Sequence, residues 1–583
     1  MRSLCLAIVL MLAGTRCENV SAAVPQGTAT AGGGDVTVAL FTAHDVRSVS
    51  ILPKANDAWS AACATCAHKP LPARLKLSSG ELFLGGSLQV HDEADAGTFV
   101  SASGLWHLRS SGRGMDVVLT VPSERYTAAA VSGEAAADEP AESLRALAVV
   151  ARTYALNGPH YSAGAGHLPA DLCDSTQCQA LRFGQVSHAV AEAVAETAGE
   201  TLWFGGHRAD VFFSAHCGGE TADVAEVWSA DVGLHRGTTM PYLRHHPDPF
   251  CVRSGPAAWH ATITANELQG IAKEQGWHIP LRVTRAEVVQ RSASGRAVRL
   301  VLHGADGQAT PLSASSLRFA VGRALGWNRI RSDLYTAAVH HGALVLDGRG
   351  HGHGVGLCQT GAKVMANEHR DMRTILAFYF PGTHMGITPT DDGWITKQTD
   401  AVSVRLVTAY GESMQRTVTA AWQAALAVFP VSKPPAPTVV FAPSTELFRQ
   451  MTAQPGWDLA STRGSTVTMQ PEVVLRRAAG GIAPTLRHEL LHVLVEHESA
   501  GRAPLWLREG LVEALTAPAA KPAASLPLTV LEAQLARPVS LAAAEAAHAA
   551  AGARVTKLVA RYGLPTVRGW LKSGVPPSVA AGM

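Results

Sequence analysis

The sequence has few charged residues and no excess of either sign. Charged residues make up 16% of the 583 residues, and 49 lysines and arginines are balanced by 47 acids. A protein that grips nucleic acid through its phosphates needs clustered basic residues, so we expect no nucleic-acid partner. No apolar run reaches the roughly 18 residues that cross a bilayer, so no transmembrane span is predicted. The absence of a 20–50-residue repeat argues against a solenoid or a propeller.

The N-terminus has the pattern of an export signal. A positive start at Arg2 precedes an apolar run over residues 4–13, and small residues follow at 21–23. This predicts a signal peptide over residues 1–23 and a flexible leader over residues 24–35. Cys17 suggests a lipoprotein, but Arg16 directly before it fits a lipidation site poorly. We therefore expect a secreted protein, or one in the periplasm or cell envelope.

Export changes how the cysteines are interpreted, because pairs close in sequence form disulfides in an oxidising compartment. Cys63 with Cys66, and Cys173 with Cys178, are the local candidates. Cys217 and Cys251 are candidates to close a longer loop, which leaves Cys358 as a free, buried thiol.

The apolar patterns predict a multidomain α+β protein. Short alternating runs indicate a β-rich region over residues 36–120. Leu144, Leu147, Ala148, Ala151 and Ala155 then form one helical stripe after Pro140, which suits a helix start. Mixed strands and loops continue to residue 390, and residues 391–401 are turn-rich enough to serve as a linker. From 402 to 583 we expect a helix, a strand, a helix, a hairpin and then helices.

The central segment, from residue 121 to about 385, contains a series of distinctive blocks. They are VPSERYTAAAVSGE, ESLRALAVVARTYAL, DLCDSTQCQ, FFSAHCGGETADVAEVW, PYLRHHPDPFC, GRGHGHGVGLCQTGAKVMA and FYFPGT. In this order the blocks resemble the SpoIID/LytB family. The resemblance implies a mixed α+β fold, a sporulation-related or cell-wall role, and peptidoglycan glycan strands as the ligand. Studied members resemble lytic transglycosylases, whereas others are amidase enhancers, which bind glycan without cleaving it and imply cell-wall amidases as partners.

Glu134 is the predicted general acid. Glycosidic cleavage needs an acid at the leaving oxygen, and a lytic transglycosylase manages with one carboxyl group. Small apolar neighbours in VSGEAAA favour a raised pKa, and the resemblance places the family's acid at this position. Glu124 is the rival, although a glutamate in the first turn of a helix commonly just complements the helix dipole.

Three further residues are predicted to contact the substrate. Arg152 lies at the edge of the apolar helical stripe, where it needs a partner: a sugar oxygen, Glu134, or another acid in a structural ion pair. His353 and Gln359 lie in or beside a segment with glycine at alternate positions. Such a segment admits either a ligand or another backbone, so glycan binding and tight strand packing both remain open.

Some members of the resembled family bind zinc in the loop that here contains His167, Cys173 and Cys178. The fourth ligand position of that pattern is Gln177 in this sequence. An amide oxygen is a poor zinc ligand beside thiolates, so a Cys173–Cys178 disulfide is preferred over a metal loop.

The C-terminal segment contains a candidate zinc site. His488 and His492 are four residues apart, which places both imidazoles on one helix face. Glu489 suits a general base for a metal-bound water, and Glu509 suits a third ligand. Glu513, one turn later, suits the role of orienting a ligating histidine.

Residues 402–583 resemble gluzincin metallopeptidases, particularly the small peptidase MA-like domains. The resemblance implies zinc as cofactor and peptide hydrolysis. We therefore expect an exported protein that cleaves glycan strands and carries a zinc metallopeptidase-like domain. Two alternatives remain: a non-catalytic amidase enhancer, and a zinc protease anchored to the wall by its SpoIID-like part.

Overall fold

The computed structural model describes residues 34–581, apart from 96, 113, 176–177, 229–239, 408–410, 479–480 and 517–525. The predicted signal peptide, all but the last two residues of the predicted leader, and Gln177 lie outside the described residues. Among the helices of the described residues, none combines the length and the apolar character needed to cross a membrane. Several sheets and many helices make this an α+β multidomain protein, which confirms the predicted fold class.

Alternating apolar residues build a large, mostly antiparallel sheet in the N-terminal part. Val36, Val38 and Leu40 are buried at alternate positions of its first strand, as expected for a strand with one face on a core. The main order is β4-β3-β6-β7-β8-β1-β9, and β2 pairs with β5 and β6. The strands are β1 (Asp35–Leu40), β2 (Val49–Pro53), β3 (Trp59–Ala61), β4 (Lys69–Pro70), β5 (Leu75–Leu77), β6 (Glu81–Asp92), β7 (Phe99–Ser111), β8 (Gly114–Pro122) and, after two helices, β9 (Leu172–Cys173).

A central helix is buried on all sides. The helices of this region are α1 (Ser123–Glu134), α2 (Ala141–Leu156) and α3 (His188–Glu196). From Ser143 to Ala155 every residue of α2 except Arg145 is buried, which is the pattern of a helix inside a core. Pro140 directly precedes α2, where its missing N–H costs no helical hydrogen bond.

Short elements follow and bring the chain back to the same core. They are β10 (Thr201–Phe204), β11 (His207–Arg208), β12 (Phe213–Ser214), α4 (Val224–Val227), a 3₁₀ helix (Pro241–Leu243) and α5 (Pro249–Arg253).

A small α+β module is inserted next and has its own hydrophobic core. It contains β13 (Ala258–Ile263), α6 (Ala265–Gln275), β14 (Val283–Arg291), β15 (Ala297–Gly304), β16 (Ala309–Ser313), α7 (Ala314–Leu325), β17 (Tyr335–His340) and β18 (Ala343–Arg349). Its first and last strands pair antiparallel, with Ala258 opposite Arg349, so the insertion begins and ends at one place. The sequence pattern predicted one continuous domain over residues 121–390 and did not separate this module.

The chain then rejoins the first core through β19 (Leu357–Cys358), α8 (Gln359–Asn367), α9 (Met372–Tyr379) and β20 (His384–Gly386). Strand β19 pairs parallel with β12, and β20 pairs antiparallel with β10. Residues of this return segment, Val355 and Phe380 among them, belong to the same core as α2.

From α10 onward the C-terminal part follows the predicted order of elements, whereas strand β22, which precedes α10, was not predicted. Its sheet has the order β21-β22-β23-β25-β24, and its edge strand β21 lies within the segment predicted as a linker. The strands are β21 (Ile395–Gln398), β22 (Ser403–Leu406), β23 (Thr438–Phe441), β24 (Ala460–Arg463) and β25 (Thr466–Met469). The helices are α10 (Gly411–Val428), α11 (Thr445–Thr452), α12 (Glu472–Leu475), α13 (Ile482–Ser499), α14 (Leu505–Thr516), α15 (Leu528–Ala536), α16 (Leu541–Tyr562), α17 (Leu564–Ser573) and α18 (Pro577–Ala581).

The C-terminal part packs against the SpoIID-like part. Leu447 of α11 joins Ala198 and Ile387 in a small buried cluster. The indole N–H of Trp394 donates to the carbonyl oxygen of Ala198 at 2.8 Å. Nη1 of Arg405 donates to the carbonyl oxygen of Ala195 at 3.1 Å, so apolar contacts and hydrogen bonds both join the two parts.

Candidate functional site

Glu134 is the last residue of α1, and its side chain is partly buried. Its Oε1 accepts a hydrogen bond from the backbone N–H of Ala180 at 2.6 Å. Burial raises the pKa of the Glu134 carboxyl, and the hydrogen bond from Ala180 offsets only part of that rise. Glu134 therefore keeps its proton to a higher pH than an exposed glutamate does, which is the property of a general acid.

The loop that carries Ala180 approaches the end of α1 closely. A Cβ on Gly133 would lie 2.2 Å from the carbonyl oxygen of Ala180, so a side chain at this position would push the loop away. The N–H of Arg182 donates to the carbonyl oxygen of Ala129 at 2.9 Å and ties the same loop to α1. The partner of Glu134 is thus fixed by backbone contacts.

A disulfide closes this loop. The structure joins Cys173 to Cys178, in agreement with the preferred interpretation of the sequence. His167 interacts with a carboxylate instead, since its Nδ1 lies 2.7 Å from Oδ1 of Asp116. The alternative metal loop is therefore contradicted, because both sulfurs are bonded to each other and the histidine pairs with a carboxylate. The structure also joins Cys63 to Cys66.

Gln359 lies beside the candidate acid. It is the first residue of α8, and its Nε2 donates to the backbone carbonyl oxygen of Glu134 at 3.1 Å. Two of the predicted site residues, far apart in sequence, are thus in direct contact. This contact fixes the main chain of Glu134, whereas the carboxyl group of Glu134 is bound by the N–H of Ala180.

His353 lies among aromatic rings. Its ring centre is 4.8 Å from that of Trp228 and 6.3 Å from that of Phe212, and its Nδ1 accepts the N–H of Val355 at 3.0 Å. Burial, together with the charges of nearby arginines, lowers the pKa of His353 to about 3. The imidazole is therefore neutral at any physiological pH, and its contacts among the described residues are those of packing.

The alternating glycines around His353 serve close packing. Gly350, Gly352, Gly354 and Gly356 all have φ between 73° and 99°, the left-handed region that favours glycine. A Cβ on Gly354 would lie 1.9 Å from the Arg296 guanidinium, and one on Gly356 would lie 2.2 Å from the carbonyl oxygen of Phe212. Of the two interpretations left open by the sequence, these contacts support packing.

Arg152 does not contact substrate. Its side chain has no exposed surface, and its Nε and Nη2 atoms donate to the two carboxylate oxygens of Glu124 at 2.8 and 2.6 Å. It also donates to the carbonyl oxygen of Glu200 at 3.1 Å. The predicted substrate contact is wrong because a buried, fully paired guanidinium cannot reach a sugar. Glu124, the rival acid, is the partner in this structural ion pair.

Cys217 and Cys251 are free, buried thiols, so the predicted long-range disulfide between them is not formed. Cys358 is also free and buried, as predicted. The three thiols instead lie together around the carboxylate of Asp248, with one donor atom from each of the four residues within 4.8 Å of all the others.

The predicted C-terminal site residues come together. The Nε2 atoms of His488 and His492 are 3.1 Å apart on α13, and Oε2 of Glu509 on α14 lies 3.3 Å from Nε2 of His492. That buried oxygen accepts no hydrogen bond from any described group. Burial lowers the pKa of His488, and the nearby His492 lowers it further, so the imidazole is kept neutral. Two imidazoles and a carboxylate oxygen that accepts no hydrogen bond from a described group are donor types that fit a tetrahedral zinc ion.

Glu489 follows His488 directly on α13, and its carboxylate has a partner of its own. The hydroxyl group of Thr462, on the neighbouring strand β24, donates to Oε2 of Glu489 at 2.6 Å. The carboxylate is thereby fixed in orientation, as a general base needs to be.

His548 was missed by the sequence analysis. It lies on α16, where its Nδ1 is 3.6 Å from Oε2 of Glu509 and 3.4 Å from Oε1 of Glu513. Its donor atom lies within 4.8 Å of those of His488 and Glu509. An isolated histidine in an alanine-rich helix has no motif around it, so the sequence offered no signal. Asp458 is also close, and burial raises its pKa to about 6.

Comparison with known families supports the SpoIID-like part. The SpoIID family profile, described as Stage II sporulation protein, matches residues 111–204. This stretch carries Glu134 and the Cys173–Cys178 loop, so both lie within the part of the chain that is similar to the SpoIID family. The chain is also 29% identical over 269 residues to an uncharacterised protein of Brachyspira hyodysenteriae, an alignment that covers 46% of this chain and 67% of that protein.

Two named relatives from Bacillus subtilis are more distant. The chain is 24% identical over 294 residues to stage II sporulation protein D, with 46% of this chain and 75% of the relative covered. It is also 24% identical over 278 residues to an amidase enhancer, with 42% of this chain and 37% of the relative covered. The chain thus matches just over a third of the amidase enhancer's length.

Proposed function

We propose that the SpoIID-like part cleaves the glycan strands of peptidoglycan, with Glu134 as the acid. The observation that carries the proposal is the setting of that residue: a partly buried carboxyl group with a raised pKa, inside the segment that matches the SpoIID profile. The relatives named stage II sporulation protein D and amidase enhancer support a role at the cell wall. The predicted signal peptide would deliver the protein to that location.

The reaction needs one carboxyl group. Protonated Glu134 donates its proton to the glycosidic oxygen, and the bond from the anomeric carbon to that oxygen breaks. The 6-hydroxyl group of the same sugar attacks the anomeric carbon and passes its proton to the Glu134 carboxylate. The products are a shortened strand with an anhydro ring and a strand with a free hydroxyl group, and Glu134 regains its acid form.

The surroundings of Glu134 suit this cycle. Burial favours the neutral acid before the bond breaks, and the N–H of Ala180 stabilises the carboxylate afterwards. Gln359 holds the main-chain carbonyl of Glu134, and the loop closed by the Cys173–Cys178 disulfide lies next to Ala180, whose N–H holds the carboxyl group. This arrangement keeps the carboxyl group positioned without a second acid.

The test is the chemistry of the strand ends. Purified glycan strands are incubated with the protein and analysed by mass spectrometry, and we expect anhydro-muramic ends. Glu134→Gln should lower the cleavage rate by about 10²–10⁴-fold, the usual contribution of a general acid. Glu139→Gln is the matched control, because Glu139 is also partly buried and burial also raises its pKa.

Each other outcome is informative. Full activity of Glu134→Gln would refute the assignment of the acid. Reducing ends would indicate hydrolysis. Strand binding without new ends would indicate the non-catalytic role suggested by the name of the amidase enhancer relative, and stimulation of an added cell-wall amidase would then be the next measurement.

We also propose that His488, His492 and Glu509 of the C-terminal part hold a zinc ion. The observation that favours it is the buried Oε2 of Glu509, which accepts no hydrogen bond from a described group and lies 3.3 Å from Nε2 of His492 on a neighbouring helix. Zinc bound there would supply Lewis-acid polarisation and an activated water, the chemistry of a metallopeptidase. Glu489, whose carboxylate accepts a hydrogen bond from Thr462, would accept a proton and later deliver it to a leaving amine.

Metal content and peptide cleavage test this second proposal. His492→Ala should lose zinc from this site and lower the melting temperature of the C-terminal part, because binding to the native state adds stability. Glu489→Gln should keep the zinc and lose any peptide hydrolysis. His497→Ala is the control, since His497 is exposed on the same helix. Zinc binding at this site unchanged in His492→Ala would refute the site.

A further inference from the structure

A second cluster of metal-ligating side chains lies in the SpoIID-like part. Cys217, Asp248, Cys251 and Cys358 come from three separate segments, and one donor atom from each lies within 4.8 Å of all the others. All four side chains are 0% exposed. We call this set the thiol–carboxylate cluster.

The distances in the cluster match those of one tetrahedral ion. With Zn–S about 2.3 Å and Zn–O about 2.0 Å, two donors on the same zinc lie about 3.5–3.8 Å apart. Sγ of Cys217 is 3.2 Å from Oδ2 of Asp248, and the upper limit for the set is 4.8 Å. Small side-chain adjustments suffice to place all four donors around one ion.

Asp248 needs a positive partner. Among the described residues no lysine or arginine forms an ion pair with it, although its carboxylate is completely buried. The N–H groups of Phe250 and Cys251 donate to Oδ1 at 3.1 and 2.9 Å and orient the group. Oδ2, which accepts from the Tyr379 hydroxyl at 2.9 Å, is the oxygen that faces the thiols. A buried carboxylate is costly without a compensating charge, and a bound cation would supply it.

Two backbone N–H groups point at the sulfur of Cys358. The N–H of Cys217 lies 3.2 Å from it, and the N–H of Gly361, in the first turn of α8, lies 3.4 Å from it. Hydrogen bonds from such groups commonly orient a ligand at a metal site. The Nδ1 atom of His216, which accepts the N–H of Gly218, lies 3.3 Å from Sγ of Cys251. Two of the three sulfurs therefore have polar neighbours that fix their positions.

The surrounding residues make room for the cluster and offset its charge. A Cβ on Gly361 would lie 2.0 Å from the Tyr379 hydroxyl and 2.6 Å from Oδ2 of Asp248, so only glycine lets α8 approach this closely. Arg296 is 3% exposed and donates to the carbonyl oxygen of Cys217 at 2.7 Å. Three thiolates and a carboxylate exceed the charge of a divalent ion by two, and this buried guanidinium balances part of that excess.

We propose that Cys217, Cys251, Cys358 and Asp248 bind a structural zinc ion. Four protein ligands without solvent access are typical of a structural site, whereas a catalytic site keeps a position open for water. Thiolate ligands select zinc over magnesium or calcium. The ion would join the segment after β12, helix α5 and the start of α8.

This zinc would also steady the candidate acid. Cys358 immediately precedes Gln359, whose side chain holds the carbonyl oxygen of Glu134. That consequence rests on the proposed function of Glu134, whereas metal binding itself does not. The experiment therefore measures the metal directly, so that failure of the zinc site and failure of glycan cleavage are distinguishable.

The test uses the full chain with His488 and His492 both changed to alanine, which removes the C-terminal site and leaves the thiol–carboxylate cluster intact. Elemental analysis should find about one zinc per chain. Replacement of zinc by cobalt should give an intense thiolate-to-cobalt charge-transfer band, a signature that a His/Glu site cannot produce. Adding Cys251→Ser or Asp248→Asn should lower the metal content, and Cys251→Ser should also weaken the band.

The control adds Cys173→Ser with Cys178→Ser, which removes the sulfurs of the other loop and should leave the band unchanged. Alkylation of the metal-stripped, denatured protein followed by peptide mass spectrometry should find Cys217, Cys251 and Cys358 all modified. A disulfide between any two of them, or three free thiols with no zinc bound and no cobalt band, would overturn the proposal. Since these measurements use the unaltered cluster, they hold even if Cys251→Ser fails to fold.

Discussion

The side-chain amide of Gln359 donates a hydrogen bond to the backbone carbonyl oxygen of Glu134 at 3.1 Å, although the two residues are 225 positions apart in sequence. Gln359 begins α8 and Glu134 ends α1, so the contact joins two helix termini. A carbonyl at the end of a helix lacks an intrahelical donor, and Gln359 supplies one. The hydrogen bond thereby fixes the main chain from which the acid projects.

Gln359→Met should slow cleavage without abolishing strand binding. The substitution keeps the size of the side chain and removes the donor, and one hydrogen bond contributes about 1 kcal/mol, so we expect roughly a 5–10-fold fall in kcat. KM should change little, because the hydrogen bond that is removed positions the acid. Gln308→Met is the control, since Gln308 also donates to a backbone carbonyl but lies exposed in the inserted module. A rise in KM with unchanged kcat would contradict the positioning role.

The raised pKa of Glu134 predicts a particular pH dependence. Its carboxyl ordinarily titrates near 4.5, and burial raises the folded-state pKa above that value. The acid form is lost as the pH rises through the folded-state pKa, so cleavage should fall on the alkaline side. In the same range the ionised carboxyl costs stability, since the unfolded chain loses the proton more easily.

Glu134→Gln should therefore be at least as stable as the wild type at pH 8, and the two should converge below about pH 4, where the carboxyl is protonated in both states. Melting temperatures of both proteins at these two pH values, beside a pH–rate profile of the wild type, provide the check. Lower stability of Glu134→Gln at pH 8, or cleavage that increases with pH, would contradict the assigned environment.

Local sequence patterns predicted the elements of the fold better than their grouping. The apolar stripe that includes Leu144 and Ala148 predicted α2, and the two runs around Gly464 predicted the β24–β25 hairpin. The inserted module escaped detection because its strands have the same alternation as those of its host. Its boundary is set by the pairing of Ala258 with Arg349, a long-range contact that periodicity does not encode.

The same difference between local patterns and long-range contacts applies to the candidate sites. Glu134 and the pair His488 and His492 belong to local motifs, so the sequence located them. The choice of Glu124 over Glu134 as the partner of Arg152 depends on how α1 packs against α2, and the sequence left that choice open. His548 reaches its site only through tertiary packing of α16 against α14, and no spacing rule points to it.

Arg152→Ala should destabilise the SpoIID-like part strongly. Removing one partner of a buried ion pair leaves the other charge unpaired, at a cost of about 3–5 kcal/mol. The double variant Glu124→Gln with Arg152→Met should recover part of that loss, because neither side chain is then charged. Arg145→Ala on the same helix should cost less, since Arg145 and its acidic partners are partly exposed. Urea unfolding of each variant gives the free energies. Wild-type stability of Arg152→Ala together with loss of glycan binding would restore the substrate-contact interpretation.

His548→Ala should weaken zinc binding at the C-terminal site. Nδ1 of His548 faces carboxylate oxygens of both Glu509 and Glu513, so the imidazole links the predicted carboxylate ligand to a second acid on the same helix. Partners that orient a metal ligand commonly contribute 10–100-fold in affinity, and we expect a loss of that size. Glu513→Gln should act in the same direction with a smaller effect, since His548 would still face Glu509.

All these variants also carry Cys251→Ser, which disables the thiol–carboxylate cluster and leaves the C-terminal site as the one measured. Competition with a chelator then gives the zinc dissociation constant of each variant. His497→Ala, an exposed histidine on α13, should bind zinc like the parent. The absorption of the cobalt-loaded protein then separates two roles for His548. A ligand would change the coordination number and the visible spectrum when removed, whereas a positioning residue would lower the affinity and leave the spectrum unchanged. Parental affinity in His548→Ala would show that His548 does neither, and the site would then rest on His488, His492 and Glu509 alone.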